Sequence, residues 1–269
     1  MNLLQRYRNQ FYGFLLKDNA NGLSITFFCK SLYVFLFLKV IFSWPVLQKI
    51  VHYSDSVFWD QYKLQAFVIV ILISLLVGLV MRLNYLVSTI IFLLSFFLSR
   101  LSKPITNGSD LVLNLFLFIS IFLSARPAFQ NEIQRVFSNA AMLFCRVQLA
   151  LIYLLSGFDK LRSVAWRSGD AIFSITNLRY FFDPLLDIQV SKTWFMLAGW
   201  GIIIFELAFA FLIWVPKFRV PLLWMGVVFH LVIIFLLNLP DFGLLMILTY
   251  GIFIPFREEK RISGKMKIS

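Results

Sequence analysis

Residues 151–173 read LIYLLSGFDKLRSVAWRSGDAIF, and within them Tyr153, Gly157 and Lys160 fall on one helix face at i, i+4, i+7 spacing. Trp166 and Gly169 follow at short intervals. A glycine one turn before a lysine lets another helix or a flat ligand come close to the backbone. An amine held partly out of water is more readily kept uncharged, and an uncharged amine is a usable general base. Position alone also admits a plainer role for Lys160: snorkelling, with the stem in apolar surroundings and the ammonium at an interface.

Five more ionisable residues, Lys30, Lys39, Arg146, Glu206 and His230, lie inside apolar stretches. Each charged one costs roughly 2.5–3.5 kcal/mol at the centre of a lone membrane helix, so each is expected to face inward and find a partner. Counted from the helix ends, Lys30, Arg146 and Glu206 share one depth, which predicts a buried cluster with Glu206 bridging Arg146, Lys30 or both. Such a cluster could serve only to fix helix register. Asp110, Asp241, Lys39 and Lys160 form a second group near the opposite surface. His230, alone in VVFHLVIIF, reads as a neutral packing residue. The two cysteines, Cys29 and Cys145, sit in apolar runs without zinc or redox spacing, and no metal site is expected. Nucleophile elbows, phosphate-cradling glycine loops and HExxH are absent from the sequence.

These residues need helices to place them. Of 269 residues, 60% are hydrophobic, too many for an ordinary soluble domain. Eight apolar segments are expected, at about 23–44, 64–81, 85–100, 111–125, 140–161, 195–214, 221–237 and 242–255, with Asn84 and Pro221 marking tight turns. The expected fold is an all-α integral membrane protein, a single bundle of about eight transmembrane helices over residues 23–255. Residues 1–22 lack a continuous apolar core and a cleavage site, and their spacing predicts an N-terminal amphipathic helix in the interface. Residues 256–269 form a basic tail. With the N-terminus inside, thirteen Lys and Arg fall in cytoplasmic segments against nine outside, so both termini are expected to be cytoplasmic and the 162–194 loop non-cytoplasmic. The net charge of +12 sits at helix ends and points to anionic membrane lipids as partners, not nucleic acid.

Four stretches in order carry a resemblance. QLALIYLLSGFDKLRSVAWRSGDAI resembles the core motif of the vitamin K-dependent γ-carboxylase-like superfamily, the horizontally transferred transmembrane (HTTM) domain. Before it, KPITNGSDLVLNLFLFISIF resembles the family's Asn-Gly-x-Asp entry into a transmembrane helix; after it, IIIFELAFAFLIWVPKFR resembles its glutamate-bearing helix followed by basic residues and VVFHLVIIFLLNLPDFGLLMILTY its His-helix and Phe-containing final span, together over about residues 100–255. The resemblance implies Lys160 as the base that deprotonates a reduced quinone, with Asp110, Trp166, Gly169, Glu206 and His230 at matching places. In the animal carboxylase, oxygen then turns the quinol into an epoxide, and the base so formed prepares a peptide glutamate for carboxylation. The chain departs from that enzyme. It has Asp159 before Lys160 where the enzyme has a second lysine, it has no histidine near FLSARPAF, and no large extramembrane domain is expected within these residues. Its size resembles small bacterial members, among them a sporulation-delaying toxin maturation protein of the inner membrane. The resemblance therefore implies action on a quinol or a secreted peptide at the non-cytoplasmic face. Two alternatives stand beside it: a non-enzymatic accessory subunit for peptide maturation or export working with a partner membrane protein, and a transporter or channel. No internal repeat favours the transporter.

Overall fold

The structure is a computed structural model that describes residues 22–53, 60–102, 107–124, 132–177 and 191–254. All regular elements among these are helices: α1 (Gly22–Tyr53), α2 (Gln61–Val80), α3 (Tyr85–Leu101), α4 (Gly108–Ser124), α5 (Glu132–Arg162), α6 (Val164–Ser168), α7 (Asp170–Asn177), α8 (Lys192–Leu212), α9 (Pro216–Leu236), α10 (Pro240–Thr249) and a closing 3-10 turn, Tyr250–Phe253. Five of them, at Ser24–His52, Gln61–Val80, Val136–Arg162, Lys192–Leu212 and Pro216–Leu236, are long and apolar enough to cross a bilayer. Tyr85–Leu101, Gly108–Ser124 and Pro240–Phe253 are apolar but shorter. The expected interfacial helix over 1–22 and the basic tail over 256–269 lie outside the described residues.

The boundaries follow local chemistry. Asn84 lies at the expected turn between α2 and α3 and also caps α3: its Oδ1 accepts the Leu86 N–H at 2.8 Å. Pro221 does not mark a turn. It lies inside α9, and the turn is Ile213–Val215, after which Pro216 opens the helix where a missing N–H costs nothing. The peripheral helix α2 buries a narrow stripe. It is Leu64, Val68, Ile71, Leu75 and Gly78, one residue per turn, while Ile69, Val70 and Ile73 stay exposed. Very large exposed side chains, Phe42 at 78%, Trp224 at 67% and Phe235 at 77%, would form an untenable apolar surface in water and suit a hydrocarbon surrounding.

The core centres on α1, which packs against α2, α4 and α10. Phe28 meets Phe116 edge-on at 5.9 Å between ring centroids. Polar ladders tie the helices where hydrocarbon offers no competing partner. Tyr33 Oη pairs with Ser88 Oγ at 2.7 Å, and Ser88 donates to Ser124 at 2.8 Å, joining α1, α3 and α4. Ser95 and Ser99 flank Asn114 at 2.8 and 2.7 Å in the same α3–α4 seam.

Candidate functional site

Gly157 and Gly169 set the position of Lys160. A methyl at Gly157 would lie 2.9 Å from Leu207 Cδ2 and 3.3 Å from Glu206 Cβ, so its absence lets α8 press against α5. The close approach inferred from the sequence is thus made by a helix. One turn later the Lys160 ammonium reaches Glu206, with Nζ 2.9 Å from Oε1 and 3.0 Å from Oε2. Nζ also donates to Ser156 Oγ at 2.5 Å, and Ser156 donates to Glu206 at 3.1 Å. Trp166 covers the ammonium at 5.0 Å from the ring centroid.

The pair lies deep because α8 runs on past the end of α5. Seven residues, about 10 Å of helix, separate Glu206 from Gly199. At Gly199 an added methyl would overlap the Trp166 carbonyl oxygen, and at Gly169 it would overlap the backbone of Phe195 and Met196. Gly169 also has φ +85°, the left-handed conformation that ends α6 and turns the chain into α7. The two short helices therefore lie against α8 and roof the end of α5. Lys160 does not snorkel: its side chain is 17% exposed and its partner Glu206 5%. On the roof's outer surface, the Ser168 hydroxyl and Lys192 hold the Asp170 carboxyl below its ordinary range.

A cavity of about 380 Å³ opens beside the pair. Ile152, Ile202, Phe229, Ile233, Phe242 and Met246 make most of its wall, and Trp166, Ile172 and Ile175 come from the roof. Its polar members are Ser156, Lys160, Glu206, Thr176, Tyr153 and His230. His230 is 1% exposed, and its Nε2 meets Tyr153 Oη at 2.7 Å. Tyr153 Oη also pairs with Tyr250 Oη. Among the described residues His230 Nδ1 has no hydrogen-bond partner. His230 is thus a hydrogen-bonded histidine, and it is also part of the site.

The expected Lys30–Arg146–Glu206 cluster is not formed. Lys30 Nζ donates to the Leu79 carbonyl at 2.7 Å, and Arg146 Nε donates to the Ile252 carbonyl at 3.1 Å with its guanidinium over Phe253. Both carbonyls belong to helix ends, whose last turns carry unpaired C=O groups and a partial negative charge. Each cation is satisfied there, and Glu206 is left for Lys160.

The second expected group divides. Lys39, Asp110 and Asp241 come together, with Lys39 Nζ 2.9 Å from Asp110 and 3.3 Å from Asp241, while Lys160 stays apart. Asn107 and Ser109 add donors to Asp241 at 2.8 and 3.1 Å. This cluster knots α1 to the starts of α4 and α10. Tyr250 and Ser156 were not singled out by sequence. Ser156 had a signal, since it lies four residues before Lys160. Tyr250 had none, because its role depends on a fold-back of 97 positions to Tyr153. Among the described residues no group of three or more His, Cys, Asp or Glu could hold a metal ion.

Compared with protein-family models, with curated proteins and with solved structures, the chain finds no match.

Proposed function

We propose that this chain is an HTTM-like polytopic membrane protein that binds a lipid-soluble quinol beside Lys160 and takes a proton from it. The observation that carries the reading is a matched pair of charges facing a largely apolar cavity. Lys160 and Glu206 together are neutral, so the pair survives in such a place, and it can accept one proton. The quinol O–H bond breaks, its electron pair stays on oxygen, and the proton goes to the pair, leaving an ammonium and a carboxylic acid. The ammonium then holds the quinolate. Lys160 is the base in the sense that an amine freed by proton transfer to Glu206 meets the quinol. Trp166, Phe229 and Phe242 suit the faces of a flat ring.

In this reading all eight apolar helices cross the bilayer in one bundle. Of the three shorter ones, α4 runs beside α1 from the Lys39–Asp110–Asp241 knot to the Tyr33–Ser88–Ser124 ladder, α10 starts at that knot beside α1, and α3 packs on α4 and joins the ladder through Ser88. At 17 residues, α4 spans about 26 Å, which a bilayer accommodates by thinning locally. The bundle sits in the bacterial inner membrane with both termini cytoplasmic, and the product meets a secreted peptide or a partner protein on the other side.

The test is turnover in nanodiscs loaded with reduced menaquinone under oxygen, with the epoxide followed by mass spectrometry. Wild type is expected to form epoxide and Lys160→Ala to form none. Absence of epoxide from folded wild-type protein would defeat the quinol chemistry and favour the accessory role in peptide maturation.

A further inference from the structure

The cavity wall is not uniform. Toward α5 and α10 none of its lining residues is exposed: Tyr153 and Met246 are 1–2% exposed, and Ile152, Ser156, Lys160 and Phe242 are partly buried. Between α8 and α9 it is different. Ala198 lines the cavity and is exposed, and Val232 lines it and is 45% exposed. A residue can do both only at a rim.

The backbone explains the rim. α8 and α9 are joined by Ile213–Val215, which brings them together at one end. Phe205 and Phe229 still touch beyond it, with ring centroids 5.2 Å apart. From there each helix continues for at least seven more residues, about 10 Å. The cavity lies between these two stretches: Ala198 and Ile202 line it from α8, Val232 and Leu236 from α9. The roof of α6 and α7 closes over the pair from the loop side, leaving the flank as the way in.

We propose that the gap between α8 and α9 is a lateral portal to the hydrocarbon, and that its occupant is the apolar tail of the ligand whose ring lies at Lys160. This rests on the quinol reading and narrows it to quinols with a long prenyl or alkyl chain. Such a ligand is dissolved in the bilayer and never needs to pass the polar roof. Its ring enters between Ala198 and Val232, its oxygen meets the Lys160–Glu206 pair, and its chain remains in the gap, continuous with lipid. The groove between α1 and α10 is wider, about 640 Å³, but its cation, Lys30, is already bonded to the Leu79 carbonyl. Its other polar members are the Thr26 and Ser31 hydroxyls, and it holds no ion pair like Lys160–Glu206 to take a proton from a ring.

The experiment uses the full chain in nanodiscs and two ligands: reduced menadione, a naphthoquinol without a tail, and a menaquinol analogue carrying a diazirine in its chain. On irradiation the analogue is expected to label peptides around Ala198 and Ile202 and around Val232 and Leu236. Ala198→Trp and Val232→Trp, both on the exposed rim, are each expected to weaken the tailed ligand at least tenfold and to weaken menadiol, which leaves no chain in the gap, by a clearly smaller factor. Label on the α1–α10 groove, or equal binding of the tailed ligand to wild type and both variants, would overturn the portal while the quinol reading stands. Failure of wild type to bind either ring would overturn the quinol reading and the portal with it.

Discussion

Glu206 and Lys160 each need the other, and this sets the cost of separating them. Breaking a buried pair by removing one partner leaves an uncompensated charge, at about 3–5 kcal/mol, whereas removing both together is often close to neutral. Glu206→Leu is therefore expected to destabilise strongly, and Lys160→Met combined with Glu206→Leu to recover most of the loss. Thermal unfolding of the purified variants in detergent reads this directly; a double variant no more stable than the single would show that the two side chains do not depend on one another. The sequence showed both residues but not their pairing. Depth counted from helix ends assigned Lys160 to a surface, because α5 looks like a helix that finishes its crossing at Arg162. It finishes instead against α8, and that register depends on Gly157, Gly169 and Gly199 meeting another helix. Lys30 and Arg146 misled for a related reason: a sequence shows acidic side chains as partners for cations, while Leu79 and Ile252 offer backbone carbonyls that no residue type announces.

The short helices α6 and α7 are the elements most exposed to small changes. Gly169→Ala would place a side chain at φ +85° and against the α8 backbone, and Gly199→Ala would push the Trp166 carbonyl away. Strain at such a position costs of order 1–3 kcal/mol. Both variants are expected to keep the bundle and to loosen the roof, lowering ligand affinity more than overall stability. Comparing ligand binding with thermal midpoint for the two variants checks this. Equal loss in both measures would place the roof within the cooperative core. Helix existence and most boundaries were legible at this scale, because apolar runs of helical length allow few alternatives. α3 begins at the turn expected at Asn84. α1 instead continues through Pro45 to Tyr53, past the end of its apolar run, and α9 begins before Pro221, at Pro216. In each case helix packing overrides a local stop signal.

Across the whole molecule, polar levels and charge distribution make one claim about sidedness. The Lys39–Asp110–Asp241 knot joins the start of α4 and the start of α10 to the middle of α1, while Ser124 at the end of α4 joins Tyr33, nearer the start of α1. The short helix α4 therefore runs the full distance between two levels that α1 also passes, and it is antiparallel to α1. If α4 crosses, then α3 and α10 cross with it, and eight crossings place Lys63 and Asp170 on one side and Arg82 and Lys217 on the other. Cys29 and Cys145 are fully buried, so single cysteines introduced at those four exposed sites would report against little background. A membrane-impermeant maleimide added to intact cells is expected to label Lys63→Cys and Asp170→Cys, and to reach Arg82→Cys and Lys217→Cys only after lysis. Labelling of Arg82→Cys in intact cells would mean that α2 does not cross in the expected sense. Labelling of Lys63→Cys and Asp170→Cys from opposite sides would mean that an odd number of the segments between them cross. Either result would move the Lys160 cavity to a different face of the membrane and change which compartment a secreted peptide or partner protein, as proposed, would meet it from.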